Sequence, residues 1–282
     1  MEEHPLGVGT VKYPMELRQP GSGTPALPEA KLSIYASPRR WYGGAMNPVI
    51  VLPTYCERDN IEHVIRGIRE HVVTDILIVD DNSPDGTGVF VEQLKRSDPQ
   101  LHLISRPRKL GFASAYIDGL NWALERGFNP IVQMDSDFSH DPKHLNDLIR
   151  QTEDYDAVIG SKYVEGGAVL GLSWWRRALS RIGNIYVLTV FTMKSPGYSL
   201  RDSTSGYIAW RRDFLARLPL STIRCKGYGF LVELKWEAFR LGARFREEPI
   251  VFRDRVNGYS KLTIGILWEV LVLPWRLLAF RL

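Results

Sequence analysis

A chain of 282 residues, 44% hydrophobic and 24% charged, has the make-up of a folded globular protein and room for one large α/β domain or two small ones. A net charge of +4 suits an anionic partner such as a nucleotide, a phosphate or an acidic membrane surface, but no Lys/Arg cluster is dense enough for nucleic acid, which is set aside as a partner. Two cysteines, Cys56 and Cys225, make neither a disulfide framework nor a metal-ligand spacing, so a reducing, cytoplasmic setting fits.

Residues 1–46 carry six prolines and six glycines with little hydrophobic periodicity and no apolar signal-peptide core. They are expected to form a disordered or loosely docked tail. The folded domain is expected over residues 47–261. Val49 to Leu52 is a β-branched run stopped by Pro53, a first strand. Ile61, Val64, Ile65 and Ile68 then recur with helical spacing. Ile76 to Val79 is a second strand ending in Asp80-Asp81, and Phe90, Val91 and Leu94 mark the next helix. Leu101 to Ile104 is a third strand, followed by a helix carrying Ala113, Tyr116, Ile117, Leu120 and Leu124 on one face. Ile131 to Met134 is a fourth strand, Leu145 to Ile149 a helix, and Ala157 to Ile159 a fifth strand. Regular alternation of this kind predicts an α/β fold, a mostly parallel sheet covered by helices.

The second half changes character. Trp174 to Met193 reads as an apolar helix with Arg177, Ser180, Arg181 and Asn184 on one face, followed by the polar loop Asp202-Ser203-Thr204-Ser205-Gly206. Lys226 to Phe230 leads into a helix ending near Leu241-Gly242, and Glu248 to Phe252 is a last short strand. Arg253-Asp254-Arg255 opens a polar loop to Lys261. Residues 262–282 are apolar but for Glu269, Arg276 and Arg281, with Pro274 interrupting. Lys261, Glu269 and Arg276, spaced by eight and seven, form a narrow charged stripe on a helix. That pattern predicts an amphipathic helix lying in a membrane interface rather than a span, and Trp174 to Met193 is expected to be a second. The alternative is that both faces pack on the core or on a membrane-anchoring partner protein.

The chemistry-bearing stretch is Ile131 to Asp137, an apolar run ending in two carboxylates one residue apart. Open α/β sheets bind ligands at the carboxyl ends of their strands. Residues i and i+2 of extended chain point the same way, so Asp135 and Asp137 can face one point. Two such charges repel unless a cation or a proton lies between them, and a hard divalent ion with positions left for phosphate oxygens satisfies both. A polar strand end with one Asp capping the next helix is the plainer reading. Two further strand ends are polar, Tyr55 to Glu57 and Asp80-Asp81. A carboxylate there can accept from a ribose diol or a base edge, and Tyr55 can stack on a base; alternatively Glu57 and Asp81 merely cap helices. Neither a GxGxxG after the first strand nor a GxxxxGK[ST] is present, which removes the main support for dinucleotide and P-loop readings.

Taken together, LPTYCERDNI, IVDDNSPDGTG, KLGFASAYIDGL, MDSDFSHDP, GSKYVEGG, the serine and asparagine of SRIGN, DSTSGY, KGYGF and FRDRVNGYSK resemble the family 2 glycosyltransferases of GT-A fold, and most closely the dolichol-phosphate (polyprenol monophosphate) mannosyltransferases. The resemblance implies that Pro53, Tyr55, Glu57, Val79 and Asp81 bind the nucleotide. It implies that Asp135, Ser136 and Asp137 hold Mg2+ or Mn2+ and the diphosphate, the two aspartates being the metal ligands. Lys162, Arg255 and Lys261 match positions that meet the nucleotide sugar, and Arg176 and Ser180 positions that meet the acceptor phosphate. Asp137, Arg176, Arg255 and Lys261 are the expected catalytic residues. Cys56 stands where the family carries Asn, and Lys162 where it carries Arg.

The implied reaction moves mannose from GDP-mannose to a polyprenyl (dolichyl-type) phosphate with inversion, by a peripheral protein on the cytoplasmic face of a membrane. Rival readings are the same fold using UDP-glucose, phosphatase-type chemistry with Asp135 as nucleophile, and a non-catalytic nucleotide-sugar-binding subunit. The second sits poorly with three strands preceding the motif, because such a nucleophile normally ends the first strand of its domain.

Overall fold

A computed structural model describes residues 46–225, 227, 229–254 and 264–279. Residues 1–45 of the expected tail and the expected loop cations Arg255 and Lys261 therefore lie outside the described residues. The first half follows the alternation of the sequence. It runs β1 (Val49–Thr54), α1 (Ile61–His71), β2 (Asp75–Asp80), α2 (Thr87–Lys95), β3 (Leu101–Ser105), α3 (Phe112–Glu125), β4 (Ile131–Gln133), α4 (Leu145–Gln151) and β5 (Ala157–Ser161). Then come β6 (Ala168–Leu170), α5 (Trp174–Lys194), β7 (Ile208–Trp210), α6 (Arg212–Leu215), α7 (Gly229–Arg240), β8 (Phe245–Pro249), β9 (Val251–Arg253) and α8 (Ile264–Ala279).

The main sheet has the order β3-β2-β1-β4-β7-β5-β8, parallel throughout except that β7 runs antiparallel to both β4 and β5. The order runs outward through β1, β2 and β3, and α3 then carries the chain back to set β4 on the other side of β1. The carboxyl ends of β1 and β4 therefore flank a reversal of strand order, the crevice where open α/β sheets bind ligands. Apolar side chains of both sheet faces are buried. Val49, Val51, Leu77 and Val79 pack under α3, and Ile50, Leu52, Ile76 and Ile78 pack against α1 and α4. Gly119 lets α3 approach closely: a Cβ there would lie 2.4 Å from Val51 Cγ1 and 3.1 Å from Val79 Cγ2.

Two expectations are corrected. The segment Glu248 to Phe252 is not one strand. β8 pairs with β5 up to Pro249, the chain turns its allegiance at Ile250, and β9 pairs with β6 in a separate two-stranded sheet. Arg253 and Asp254 are thereby carried off the main sheet and across to the start of α5. The polar face of α5 is also not turned to water as a whole. Asn184 is buried, whereas Trp174, Ile182, Ile185 and Met193 are exposed. Helix α8 runs through Pro274, and among the described residues no helix is long and apolar enough to cross a membrane.

Candidate active site

The ends of β1 and β4 are stitched together directly, Ser136 Oγ donating to the Pro53 carbonyl at 3.0 Å. Ser136 is thus a buried strut between the loop of the two aspartates and the loop of Tyr55 and Glu57. Asp135 follows β4 after one residue; its backbone N–H donates to His140 Nδ1 at 3.1 Å, and its Oδ1 accepts from the Tyr116 hydroxyl at 2.9 Å. Asp137 accepts the Ser139 N–H at 3.1 Å and is 7% exposed. The two carboxylates act on common neighbours. Burial first, then the charges of Asp135 and Asp137, push the Tyr116 phenol well above its usual range. Burial holds His140 below the usual imidazole value against the pull of the same two charges. With its Nδ1 accepting a hydrogen bond, His140 is a neutral ring that sits over Tyr207 with centroids 4.8 Å apart.

This donor set fits a hard divalent cation. Both candidates are carboxylates, and their negative fields meet at one buried phenol and one neutral imidazole. Among the described residues no group of three or more His, Cys, Asp or Glu side chains assembles that could hold a metal ion without other ligands.

Backbone strain concentrates on the same edge. Among the described residues, the non-glycine residues with positive φ are Cys56 (61°), Asn82 (57°) and Phe138 (62°), one in each of the loops after β1, β2 and β4. Such conformations persist where surrounding contacts over-determine them, and they cluster at functional sites. Here the contacts are visible. The Cys56 N–H donates to Ser83 Oγ, and buried Asp80 accepts from Thr54 Oγ1, Ser83 N and Ser83 Oγ, tying the β1 and β2 loops together.

The expected nucleotide residues fall into two groups. Tyr55 and Glu57 lie on the β1 loop, with Lys109 Nζ 3.5 Å from the centre of the Tyr55 ring and the Glu57 carboxylate accepting from Asn60 Nδ2. Asp81 is buried, and its oxygens accept the N–H groups of Leu110 and Gly111, both at 2.7 Å, beside the Arg106 guanidinium at 3.1 Å. It holds the loop between β3 and α3 over the end of β2, and it caps no helix. Val79, the last residue but one of β2, is fully buried in the ladder between β1 and β3, beneath Gly119.

On the other side of the aspartates, Lys162 Nζ meets both oxygens of Asp202 at 3.0 and 2.8 Å. Ser180 accepts from the Tyr163 hydroxyl at 2.7 Å. Arg176 Nη1 donates to Asp254 Oδ2 at 2.9 Å, which ties the start of α5 to the end of β9. Tyr116, His140 and Asp202 were not singled out from the sequence. Each was visible only as one letter of a motif, because their work is to hold other side chains and nothing in a linear pattern announces such a partner.

The residues 49–218 match the model of glycosyl transferase family 2. The chain belongs to that family. It is 39% identical over 228 residues to the undecaprenyl-phosphate mannosyltransferase of Micrococcus luteus, covering 80% of this chain and 92% of that protein. It is 38% identical over 219 residues to the polyprenol monophosphomannose synthase of Mycolicibacterium smegmatis, covering 76% and 80%. Among solved structures, glucosyl-3-phosphoglycerate synthase of Mycobacterium tuberculosis with Mn2+, UDP and phosphoglyceric acid superposes with a TM-score of 0.57 at 20% identity, over 83% of this chain and 76% of that one. The mannosyltransferase PcManGT of Pyrobaculum calidifontis, in complex with GDP-Man and Mn2+, gives 0.52 at 18% identity; this chain covers 63% of its length, and 82% of this chain is matched. At such identities the likeness is one of fold, and it is the GT-A fold of family 2 glycosyltransferases.

Proposed function

We propose that this family 2 glycosyltransferase moves mannose from GDP-mannose to a polyprenyl phosphate, with inversion at the anomeric carbon. The carrying observation is the pair Asp135 and Asp137 at the β1/β4 reversal, with Lys162 and Asp202 on one flank and Tyr55 and Glu57 on the other; the names of the two polyprenol relatives support the acceptor class. The reading also accounts for the lack of an evident catalytic base. A phosphate monoester has a second pKa of about 6 and is already a nucleophile at neutral pH. Its oxygen attacks the anomeric carbon from the face opposite the diphosphate, the bond from that carbon to the diphosphate oxygen breaks, and GDP leaves.

The protein's task is to hold two anions together. Asp135 and Asp137 would hold Mg2+ or Mn2+, which when bound supplies Lewis-acid neutralisation of the leaving diphosphate. Lys162 lies on the donor side. Arg176 and Ser180, at the start of α5, are assigned to the acceptor phosphate, and Arg255 and Lys261, outside the described residues, to neutralising the same anions. The exposed apolar residues of α5 and α8 support a peripheral position on a membrane, which this reading takes to be its cytoplasmic face.

The test is to incubate the protein with labelled GDP-mannose, and separately UDP-glucose, plus a short polyprenyl phosphate and Mn2+. Label is expected in the organic phase with GDP-mannose, and Asp137→Ala is expected to abolish it. Label from UDP-glucose alone would replace the donor. Label from neither would leave the non-catalytic reading.

A further inference from the structure

Helix α7 is buried over ten consecutive residues, Gly229 to Ala238, and three of these are charged. Glu233 is accounted for locally, since it accepts the N–H groups of Arg224 and Cys225. Lys235 is different. It is fully buried, and its ammonium donates to two main-chain carbonyls, Ser203 at 3.0 Å and Ser205 at 2.7 Å. An ammonium buried against neutral carbonyls loses more hydration than it recovers, and burial accordingly pulls the Lys235 pKa down to about 7. A Leu or Met would fill the same volume without that cost.

The carbonyls that Lys235 grips belong to the loop 202–206, and this loop reaches Lys162, α5 and Asp135. Its first residue, Asp202, is fully buried and receives Lys162 Nζ on both oxygens and the Lys162 N–H at 3.2 Å. Thr204 exchanges hydrogen bonds with Asn184, whose side chain also donates to the carbonyl of Ser180, so the loop is tied to the acceptor side of α5. The backbone of Gly206 passes so near the metal carboxylate that an added Cβ would lie 3.5 Å from Asp135 Oδ1. Glu247 on β8 fixes the loop's outer end through the N–H groups of Arg201 and Asp202, both at 2.9 Å. Ser205 Oγ fixes the inner end on the Gly160 carbonyl at 2.6 Å.

We infer that Lys235 is a positioning residue for the transfer reaction: gripping the Ser203 and Ser205 carbonyls from inside the core, it holds the loop 202–206 so that Asp202 aims Lys162 at the donor diphosphate beside Asp135. The inference rests on the donor-side assignment made above. Lys235 touches no substrate, so its loss acts on the precision of Lys162 and not on ground-state contacts with the nucleotide.

The test replaces Lys235 by Met, which keeps the length of the stem and removes the ammonium. Four quantities are measured on Lys235→Met, Lys162→Ala and the double variant: hydrogen exchange of the 202–206 amides, kcat, donor KM with GDP-mannose, and thermal unfolding. The expected outcome is a folded Lys235→Met protein whose 202–206 amides exchange at least tenfold faster. Its kcat falls about tenfold or more with donor KM within about threefold, and the loss largely disappears in the Lys162→Ala background, as coupling through one unit requires. The proposal is overturned by unchanged exchange and kcat, or by a kcat loss that is undiminished without Lys162. It is equally overturned if activity per folded molecule is normal and only the melting temperature falls. If the wild-type protein transfers no sugar at all, the assigned reaction fails instead, and the exchange experiment still decides whether Lys235 holds the loop.

Discussion

At the scale of single residues, the site is held in shape by side chains that do not themselves meet a ligand. Cys56 sits at φ 61°, a left-handed conformation that costs an ordinary L residue about 1–2 kcal/mol and that Asn tolerates better. It is exposed, and Asn is the residue that the resemblance to the family implies there. Cys56→Asn is therefore expected to raise folding stability by on the order of 0.5 kcal/mol with activity retained, read from urea unfolding. Tyr116 orients Asp135 through one hydrogen bond from a fully buried phenol. Removing that hydroxyl in Tyr116→Phe is expected to weaken Mn2+-dependent GDP binding about tenfold with little change in fold, as for other partners that orient a metal ligand; calorimetry with and without Mn2+ checks it. Lys235 provides a pH test whose sign follows from its burial. Its folded pKa of about 7 lies below the ordinary lysine value of 10.5, so between these values the unfolded chain binds more protons and stability rises with pH. The stability of the wild type relative to Lys235→Met should climb from about pH 7 to 10 at no more than about 1.4 kcal/mol per unit and be level below pH 6. A flat difference across the whole range would mean that the ammonium is not desolvated as the burial implies.

At the scale of elements, the five strands of the first half were legible, whereas β7 and β8, which complete the sheet, were not. β1, β2 and β4 are apolar runs that stop at polar residues, and their buried patterns match that reading from Val49 to Gln133. β7 is only three residues, Ile208–Trp210, directly after a polar loop, too short for any period to emerge. β8 is an edge strand with Arg246, Glu247 and Glu248 in it, so its charges masked it, and the switch of sheet at Ile250 made two strands look like one shifted strand. The packing of α3 was half legible. Its apolar face was plain, but Gly119 within that face announced nothing until the sheet lay against it. With a Cβ predicted 2.4 Å from Val51 Cγ1, Gly119→Ala must push α3 away from β1. A loss of about 1–3 kcal/mol is expected, typical of overpacking a well-filled core. Because the loop that Asp81 holds leads directly into α3, donor binding should weaken along with stability, and a variant with unaltered melting would show that the helix has room to move.

At the scale of the whole molecule, the residues proposed for the acceptor phosphate and an apolar surface lie on the same helix. Arg176 and Ser180 sit at the inward side of α5, while Trp174 (81% exposed), Ile182 (63%) and Met193 (70%) face outward. α8 extends that surface: Trp275 Nε1 donates to the Tyr186 hydroxyl, which donates in turn to the Leu271 carbonyl, and Leu271, Val272 and Trp275 are about half exposed. The charged stripe expected on this helix is only partly traceable, for Lys261 lies outside the described residues; Arg276 is exposed, with its guanidinium 3.2 Å from the Cys225 thiol. The obvious experiment, deleting the last helix, is a poor one, because Leu273 and Leu277 are buried in the same core cluster as Phe230 and Trp236. Its removal would uncover the core as well as the apolar face. A cleaner variant changes only outward side chains, Trp174, Met193 and Trp275, each to Ser. Their combined apolar surface should favour a lipid interface by several kcal/mol if all three insert, at roughly 25 cal/mol per Å². Co-sedimentation with vesicles containing anionic lipid is therefore expected to fall at least about tenfold, and use of a long-chain polyprenyl phosphate in those vesicles should fall with it. Mn2+-dependent GDP binding in solution should stay unchanged, since none of the three contacts the residues at the β1/β4 reversal. Equal vesicle binding by the triple variant and the wild type would show that this face meets a protein or nothing at all, and would leave Arg176 and Ser180 without a lipid surface to receive their acceptor from.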